Sequence, residues 1–249
     1  MPDPDGPPSA LEHRIARYLT LDAAERSCLA ALQGASERVA ARRRLRRAGE
    51  PADSLFVVHA GWLCSVRYPC AGRRHVEGLH LGGDVIGLGA IALPSATSDL
   101  ITVTDGVLSR VPRAALPELL APAPRLAGLL CAFAAIETTV LSDRLAAVSR
   151  LNAEARIAHF LLEIDARLAL AEARATAWFA MPLSQEAIGD AVGLTQAYVN
   201  RSLKELEDRG LILRRDNGVE IRDAASLAAL CGFADRWSTA DLGWLVPRY

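Results

Sequence analysis

Between Val39 and Pro112 the chain is broken every few residues, at Gly49 with Pro51, Gly61, Gly72, Gly82 with Gly83, and Gly106. The runs left between the breaks are short and apolar or alternating: Leu55 to Ala60, Leu63 to Tyr68, His75 to Leu81 and Leu100 to Thr104. Runs of about 5 residues at turn spacings of about 8 to 12 suit an antiparallel sandwich or barrel and leave no room for helices. Residues 39–112 are therefore predicted to form an all-β module.

The flanks have a different texture. Leu11 to Gly34 is helical in character, with Leu21, Leu29 and Leu32 recurring among charges and Asp22 placed to cap a second segment. Beyond Pro124 the glycines thin out, and Leu126, Leu129, Phe133, Ile136 and Val140 recur in steps of three and four. That stripe suits a knobs-into-holes seam between two parallel helices; the alternative is a helix lying on its own β-module. A second helix follows Asn152, with Ile157, Phe160, Leu161, Ile164 and Leu168 on one face. A small-residue linker, Ala171 to Ala177, leads into a candidate short strand at Trp178 to Pro182.

Of the 249 residues 51% are hydrophobic and 23% charged, which excludes a disordered or fibrous chain. The net charge of -1 means that any nucleic-acid contact must come from a local basic patch. Five scattered cysteines, Cys28, Cys64, Cys70, Cys131 and Cys231, form no metal-binding pair and suit a reducing compartment. The N-terminus lacks the basic start and apolar stretch of an export signal. The longest uncharged apolar run, Leu126 to Ile136, falls short of the roughly 20 residues a bilayer needs. A cytoplasmic protein with no membrane span is expected.

The densest information begins at Ser184, a cap hydroxyl followed by Glu186 in the first turn and by Ala187, Ile188, Ala191 and Val192 as an apolar face. Gly193 stops this short helix, Leu194 fills the turn, and Thr195 caps a second helix whose inward face is Val199, Leu203 and Leu206 and which ends at Gly210. Small residues at Ala187 and Gly189 permit a close, steep crossing, which is helix-turn-helix geometry. The outward face carries Gln196, Asn200, Arg201 and Lys204, side chains able to reach base edges and phosphates. Pairing of Arg201 with Glu205 one turn on is the plain alternative. Leu211 to Arg215 and Val219 to Asp223 flank Asn217-Gly218, a hairpin signal, with Arg214, Arg215 and Arg222 adding positive charge to a wing.

From Leu183 through Ile212, notably Ser184-Gln185-Glu186-Ala187-Ile188-Gly189, Gly193-Leu194-Thr195, Val199 to Lys204 and Gly210-Leu211, the chain resembles the DNA-binding signature of the Crp/Fnr regulator family. Glu50, Gly61, Gly72, Arg73, the turn Gly83-Asp84-Val85-Ile86-Gly87, and Arg156-Ile157-Ala158 extend the resemblance upstream. It implies an α+β chain: a jelly-roll-like β-roll (a double-stranded β-helix) over 11–115, a long dimerisation helix over 116–150, a winged helix-turn-helix over 151–233 and a tail over 234–249. It further implies a homodimeric, non-enzymatic transcription regulator on palindromic double-stranded DNA, with RNA polymerase as a further partner. Carried over residue by residue, Arg201 reads a guanine and Thr195 meets phosphate. Many members have Arg-Glu where this chain has Gln196-Ala197, so its half-site should differ: Gln196 can pair with adenine, Ala197 only touch a thymine methyl. Tyr198, Asn200, Lys204 and Ser184 complete the expected DNA-binding set.

The sensor side departs from the family's ligand-binding members. Where cyclic-nucleotide binders hold the phosphate with a glutamate and an Arg-Ser or Arg-Thr pair, this chain has Leu88, Ser98 and Asp99, so neither cAMP nor cGMP is expected to bind. With only Cys28 near the N-terminus an iron-sulfur cluster is not expected, and Val85 to Gly89 offers no haem ligand. No metal is expected; the alternative is a β-barrel metal-binding protein or enzyme using His75, Glu77 and His80, although His80 has the opposite strand parity. Cys64 and Cys70 flank a turn and could pair as a redox switch. The run Arg38, Arg42, Arg43, Arg44, Arg46 and Arg47 reads as the wet face of a strand and its turn.

Overall fold

The computed structural model describes residues 9–69, 74–171 and 177–245. The chain divides into two compact units, one of Met1–Arg67, Leu79–Glu137 and Ala240–Tyr249, the other of Tyr68–Gly78 and Thr138–Thr239. Gly72, Arg73, Cys70 and most of the small-residue linker lie outside the described residues.

Two helices open the first unit, α1 (Ala10–Ala16) and α2 (Ala23–Gln33). Each is started by a reciprocal capping box, Ser9 with Glu12 and Asp22 with Glu25. The strands that follow are β1 (Ser36–Val39), β2 (Arg44–Arg46), β3 (Ser54–Ala60), β4 (Leu63–Arg67), β5 (His75–His80), β6 (Val85–Ile86), β7 (Asp99–Thr102) and β8 (Gly106–Pro112). They form two four-stranded sheets, ordered β1-β8-β3-β6 and β2-β7-β4-β5, the jelly-roll arrangement. Pairings such as Val58 with Leu108 and Ser65 with Leu100 set which faces turn inward. Val39, Phe56, Val58, Leu63, Ile86, Leu100 and Leu108 form one core cluster, with Leu45 packed against it. The apolar runs mark only β3, β4, β5 and β7. The others escape because β6 is two residues long, β1 and β2 carry arginines and a glutamate, and the alternation of β8 is blurred by Ser109 and Arg110.

The turn at Gly83-Asp84 is fixed from outside the roll. Gly83 has φ 85°, and a side chain there would meet the carbonyl of Ala10. Buried Arg14 on α1 donates from Nη1 to the Gly83 carbonyl at 3.1 Å and closes an ion pair on Asp84. The second carboxylate oxygen of Asp84 accepts the Leu81 N–H at 2.8 Å. Removing one partner of such a buried pair costs about 3–5 kcal/mol.

A short helix α3 (Leu116–Leu120) precedes the long α4 (Pro124–Arg150), so the stretch 116–150 is two helices. The expected seam stripe turns out to serve the chain's own core: Leu126, Leu129 and Phe133 are at most 1% exposed, and Val140 is buried too. The solvent-facing apolar residues lie further along, at Leu141, Leu145 and Val148. Helix α4 also contains an 18-residue window of mean hydropathy 1.5, a third of it buried inside the chain, a length and composition that the core helix of a soluble protein can share.

The second unit contains α5 (Ala153–Ala171), β9 (Trp178–Ala180), α6 (Gln185–Val192), α7 (Gln196–Asp208), β10 (Ile212–Arg215), β11 (Gly218–Ile221) and α8 (Ala224–Cys231). The strands pair in the order β10-β11-β9. Helix α5 buries Ile157, Phe160, Leu161 and Ile164 and packs against α7 and α8. Its Glu163 is buried, and Arg144 donates to it from Nε at 2.7 Å while Arg167 approaches to 3.5 Å. Burial opposes ionisation of Glu163, but the two arginines outweigh it and hold the carboxyl below its ordinary range.

Candidate nucleic-acid interface

Helix α6 starts at Ser184, whose Oγ accepts the Ala187 N–H at 3.1 Å, and stops at Gly193, where φ is 70°. Helix α7 starts at Thr195, whose Oγ1 accepts the Tyr198 N–H at 3.4 Å. Between them the Leu194 N–H donates to the Gly189 carbonyl at 3.0 Å. A side chain on Gly189 would overlap the Leu194 carbonyl oxygen, so the tight turn requires glycine there. Arg156, named in the sequence only for its resemblance, donates from Nε to the Leu151 carbonyl at 2.9 Å and reaches the Gly193 carbonyl at 3.5 Å.

This arrangement splits α7 into two faces. Val199, Ser202, Leu203 and Leu206 are buried, Val199 and Leu206 completely. Gln196, Ala197, Tyr198, Asn200, Arg201 and Lys204 are all exposed, as is Thr195 at the cap, while Ser184 caps α6 in the open. Every residue of the predicted set thus faces solvent within the unit. The Arg201 guanidinium lies 5.6 Å from the centroid of the Tyr198 ring. Gln185 donates from Nε2 to Asn200 Oδ1 at 3.3 Å. Among the described residues no ion pair holds Arg201 or Lys204, so the alternative Arg201–Glu205 pairing is not formed. Ser184 and Thr195 accept backbone N–H groups at their oxygens, which leaves their hydroxyl protons free to be donated outward.

The hairpin β10–β11 is present with Arg215 opposite Gly218. Its turn differs from expectation: Asp216 and Asn217, at φ 52° and 54°, are the central pair of a type I′ turn. Gly218 is already in the strand, where a side chain would overlap the Phe179 carbonyl on β9. The wing is also less positive than its arginines suggest. Arg214 pairs with Glu207 at 2.9 Å, and Arg215 and Arg222 approach Glu220 to 3.4 and 3.2 Å. The Arg214 backbone N–H and then its guanidinium keep the Glu207 carboxyl below the usual range.

The other candidate groups are dispersed. His75 Nδ1 lies 3.1 Å from the Asp190 carbonyl, His80 Nε2 lies 2.7 Å from Ser65 Oγ, and the Glu77 carbonyl accepts from Arg144. Among the described residues no three histidine, cysteine or acidic side chains are grouped to hold a metal. Cys64 is buried on β4, and its suggested partner Cys70 lies outside the described residues. Leu88 and Ser98 are buried, and buried Asp99 accepts the Ala48 N–H at 2.8 Å and faces Arg44 Nε at 3.1 Å.

Residues 155–230 match a Crp-like helix-turn-helix domain and residues 36–122 a cyclic nucleotide-binding domain. The chain is 26% identical over 188 residues to the fumarate and nitrate reduction regulatory protein of Salmonella typhi, covering 76% of this chain and 75% of that protein. It is 28% identical over 188 residues to the transcriptional activator protein anr of Pseudomonas aeruginosa, with coverages of 76% and 77%. Among solved structures it superposes on FixK2 from Bradyrhizobium japonicum with a TM-score of 0.71 at 28% identity, over 80% of this chain and 98% of that one.

Proposed function

The chain belongs to the Crp/Fnr family of DNA-binding transcription regulators, and from that premise we propose that it works as a homodimer on a two-fold symmetric duplex site. The observation that carries the proposal is the division of α7 into a packed inner face and an outer face of exposed polar and basic side chains, with no ion pair on Arg201 or Lys204 among the described residues. A helix so divided fits the major groove, which is wide enough to admit it. In this reading Arg201 takes guanine O6 and N7, held over the Tyr198 ring. Gln196 takes adenine N6 and N7, and Ala197 meets a thymine methyl. Ser184, Thr195, Tyr198, Asn200 and Lys204 fix the register on phosphates.

Dimerisation is assigned to the outer face of α4. Cys131, Ala135, Thr138, Leu141, Leu145 and Val148 are exposed there and recur in steps of three and four without a charge among them. On the sensor side, the commitment of Asp99 to Arg44 and Ala48 and the burial of Leu88 support a domain that does not take cyclic nucleotides. A soluble cytoplasmic regulator without enzymatic activity is the setting this implies.

Selection from a random duplex pool with the full chain tests the proposal. Enriched sequences should contain two inverted half-sites about 10–10.5 base pairs apart, centre to centre. No enrichment, or enrichment of an asymmetric single site, would overturn it.

A further inference from the structure

A groove of about 330 Å³ runs along strand β2, lined by Arg42, Arg44, Leu45, Arg46, Arg47, Glu50 and Ile101. Strand β2 is the edge of its sheet, and charged side chains on an edge commonly serve only to keep it from pairing with other chains. Such a role explains exposed arginines, but it does not require them to converge on a concavity. Three further observations point beyond it.

The first is charge. Four guanidiniums meet Glu50 and Asp99, and Asp53 also acts on Arg46 but is paired with Arg110 at 2.9 Å. Glu50 and Asp99 are also committed to backbone: Glu50 Oε2 accepts the Arg47 N–H at 2.9 Å, and Asp99 Oδ1 accepts the Ala48 N–H at 2.8 Å. Among the described residues, no acid pairs with Arg42 or Arg47.

The second is Arg46. It is half-buried, its Nη1 reaches the Ser54 carbonyl only at 3.4 Å, and its Nε is buried with no hydrogen-bond partner among the described residues. A buried guanidinium N–H left unmatched is costly, and this guanidinium, 5.7 Å from the centroid of the Phe56 ring, belongs to a residue that lines the groove.

The third is rigidity. Arg42 holds a left-handed φ of 60°, which residues with a side chain adopt rarely. Buried Thr102 fixes that turn: its carbonyl accepts the Arg42 N–H at 2.9 Å, and its Oγ1 accepts from Arg43 at 2.8 Å and donates to Ala40 at 2.7 Å.

We infer that this groove, lined by residues of β2 and the turns on either side of it rather than by Leu88 and Ser98, is a binding site for phosphate-bearing anions. Planar guanidinium forks match phosphate oxygens in pairs, and four of them around one concavity suit two or more linked phosphates. Half-buried Leu45 and Ile101 supply an apolar wall for the body of such a ligand. A groove of this volume is of small-molecule size. The phosphates can belong to a free di- or triphosphate or to a duplex backbone.

The test uses the full chain, inorganic tripolyphosphate as probe, and sodium sulfate at equal ionic strength as control. Calorimetry should show saturable binding, and the melting temperature should rise above the control. Arg42→Asn, which tolerates the left-handed turn, and Arg47→Ser should each weaken binding about tenfold without altering the unliganded melt. Arg201→Ala should leave tripolyphosphate binding intact, so failure of the groove is distinguished from failure of the α7 assignment. Weak tripolyphosphate binding, combined with loss of affinity for long but not short duplexes in Arg42→Asn and Arg47→Ser, identifies DNA as the source of the phosphates. If tripolyphosphate matches sulfate and both variants bind every duplex like wild type, the groove is a solvated edge and the inference fails.

Discussion

The guanidinium of Arg201 stands 5.6 Å from the centre of the Tyr198 ring, one helical turn back along α7, and among the described residues no carboxylate holds it. The ring steadies the side chain without neutralising it, an arrangement suited to a bidentate contact made elsewhere. Arg201→Ala should therefore lower affinity for the selected site about 10- to 100-fold and relax preference at one base pair per half-site. Arg201→Lys should recover little, because an ammonium cannot reproduce the fork. Competition gel shifts against single-base variants of the site measure both effects; unchanged discrimination in Arg201→Ala would show that α7 is misassigned.

Lys204 is exposed on the same face and pairs with no acid among the described residues, so its expected role is with a phosphate. Lys204→Ala should weaken binding evenly across sequences and reduce the slope of log K against log salt by about 1. The wing arginines make a contrast, since Arg214, Arg215 and Arg222 are already engaged by Glu207 and Glu220. Arg215→Ala should change the slope less than Lys204→Ala does.

The parts of this interface that were legible in the sequence are those set by local chemistry. Ser184, Gly193 and Thr195 are cap residues whose roles depend on neighbours a few positions away, and Gly189 and Gly210 carry their own geometric meaning. What a face packs against is not local. Two stripes at the same three-and-four spacing run along α4, and only the tertiary fold decides that Leu126, Leu129 and Phe133 meet the chain's own core while Leu141, Leu145 and Val148 meet solvent. The charge of the wing is not legible locally for the same reason, because Glu207 sits on α7 and Glu220 on the opposite strand. Strand β8 carries no local signal although it pairs with both β1 and β3, since its central role comes from partners far away in sequence.

Leu145 is 70% exposed, an unusual position for a large apolar side chain unless something covers it. In a two-fold seam along the outer face of α4, Leu145→Glu would set two like charges against each other across an apolar interface. Sedimentation should then report a monomer where wild type is a dimer, with the far-ultraviolet circular dichroism unchanged because the residue does not support its own chain's core. A dimer of undiminished stability in Leu145→Glu would move the seam elsewhere.

Gly189 tests the turn itself. A methyl group there would overlap the Leu194 carbonyl, so Gly189→Ala must open the angle between α6 and α7 or push Leu194 out. Overpacking of this kind costs about 1–3 kcal/mol, and the displaced α7 should lose site-specific binding beyond what the lost stability explains. Thermal unfolding and anisotropy titrations on one preparation separate the two. A variant that is destabilised yet binds with wild-type affinity well below its melt would show that the turn angle is not critical.

His159 predicts a pH dependence. The ring is buried on α5, edge-on to Phe233 at 5.4 Å, and beside Asp143 and Glu163 in a small cavity. Burial pushes its pKa below the ordinary 6.5, and Glu163 only partly offsets this. With the folded pKa depressed, both states are neutral above 6.5; as pH falls further, the unfolded chain takes up the proton first and stability declines until the folded pKa is reached. One such proton sets a slope of at most about 1.4 kcal/mol per pH unit. His59, also depressed by burial, contributes in the same direction, so the difference from a variant isolates His159. His159→Phe keeps an aromatic edge against Phe233 and should flatten part of the decline just below pH 6.5, leaving the later acid loss from Glu163 in place. Identical stability curves for His159→Phe and wild type across that window would mean that His159 is not held neutral by burial.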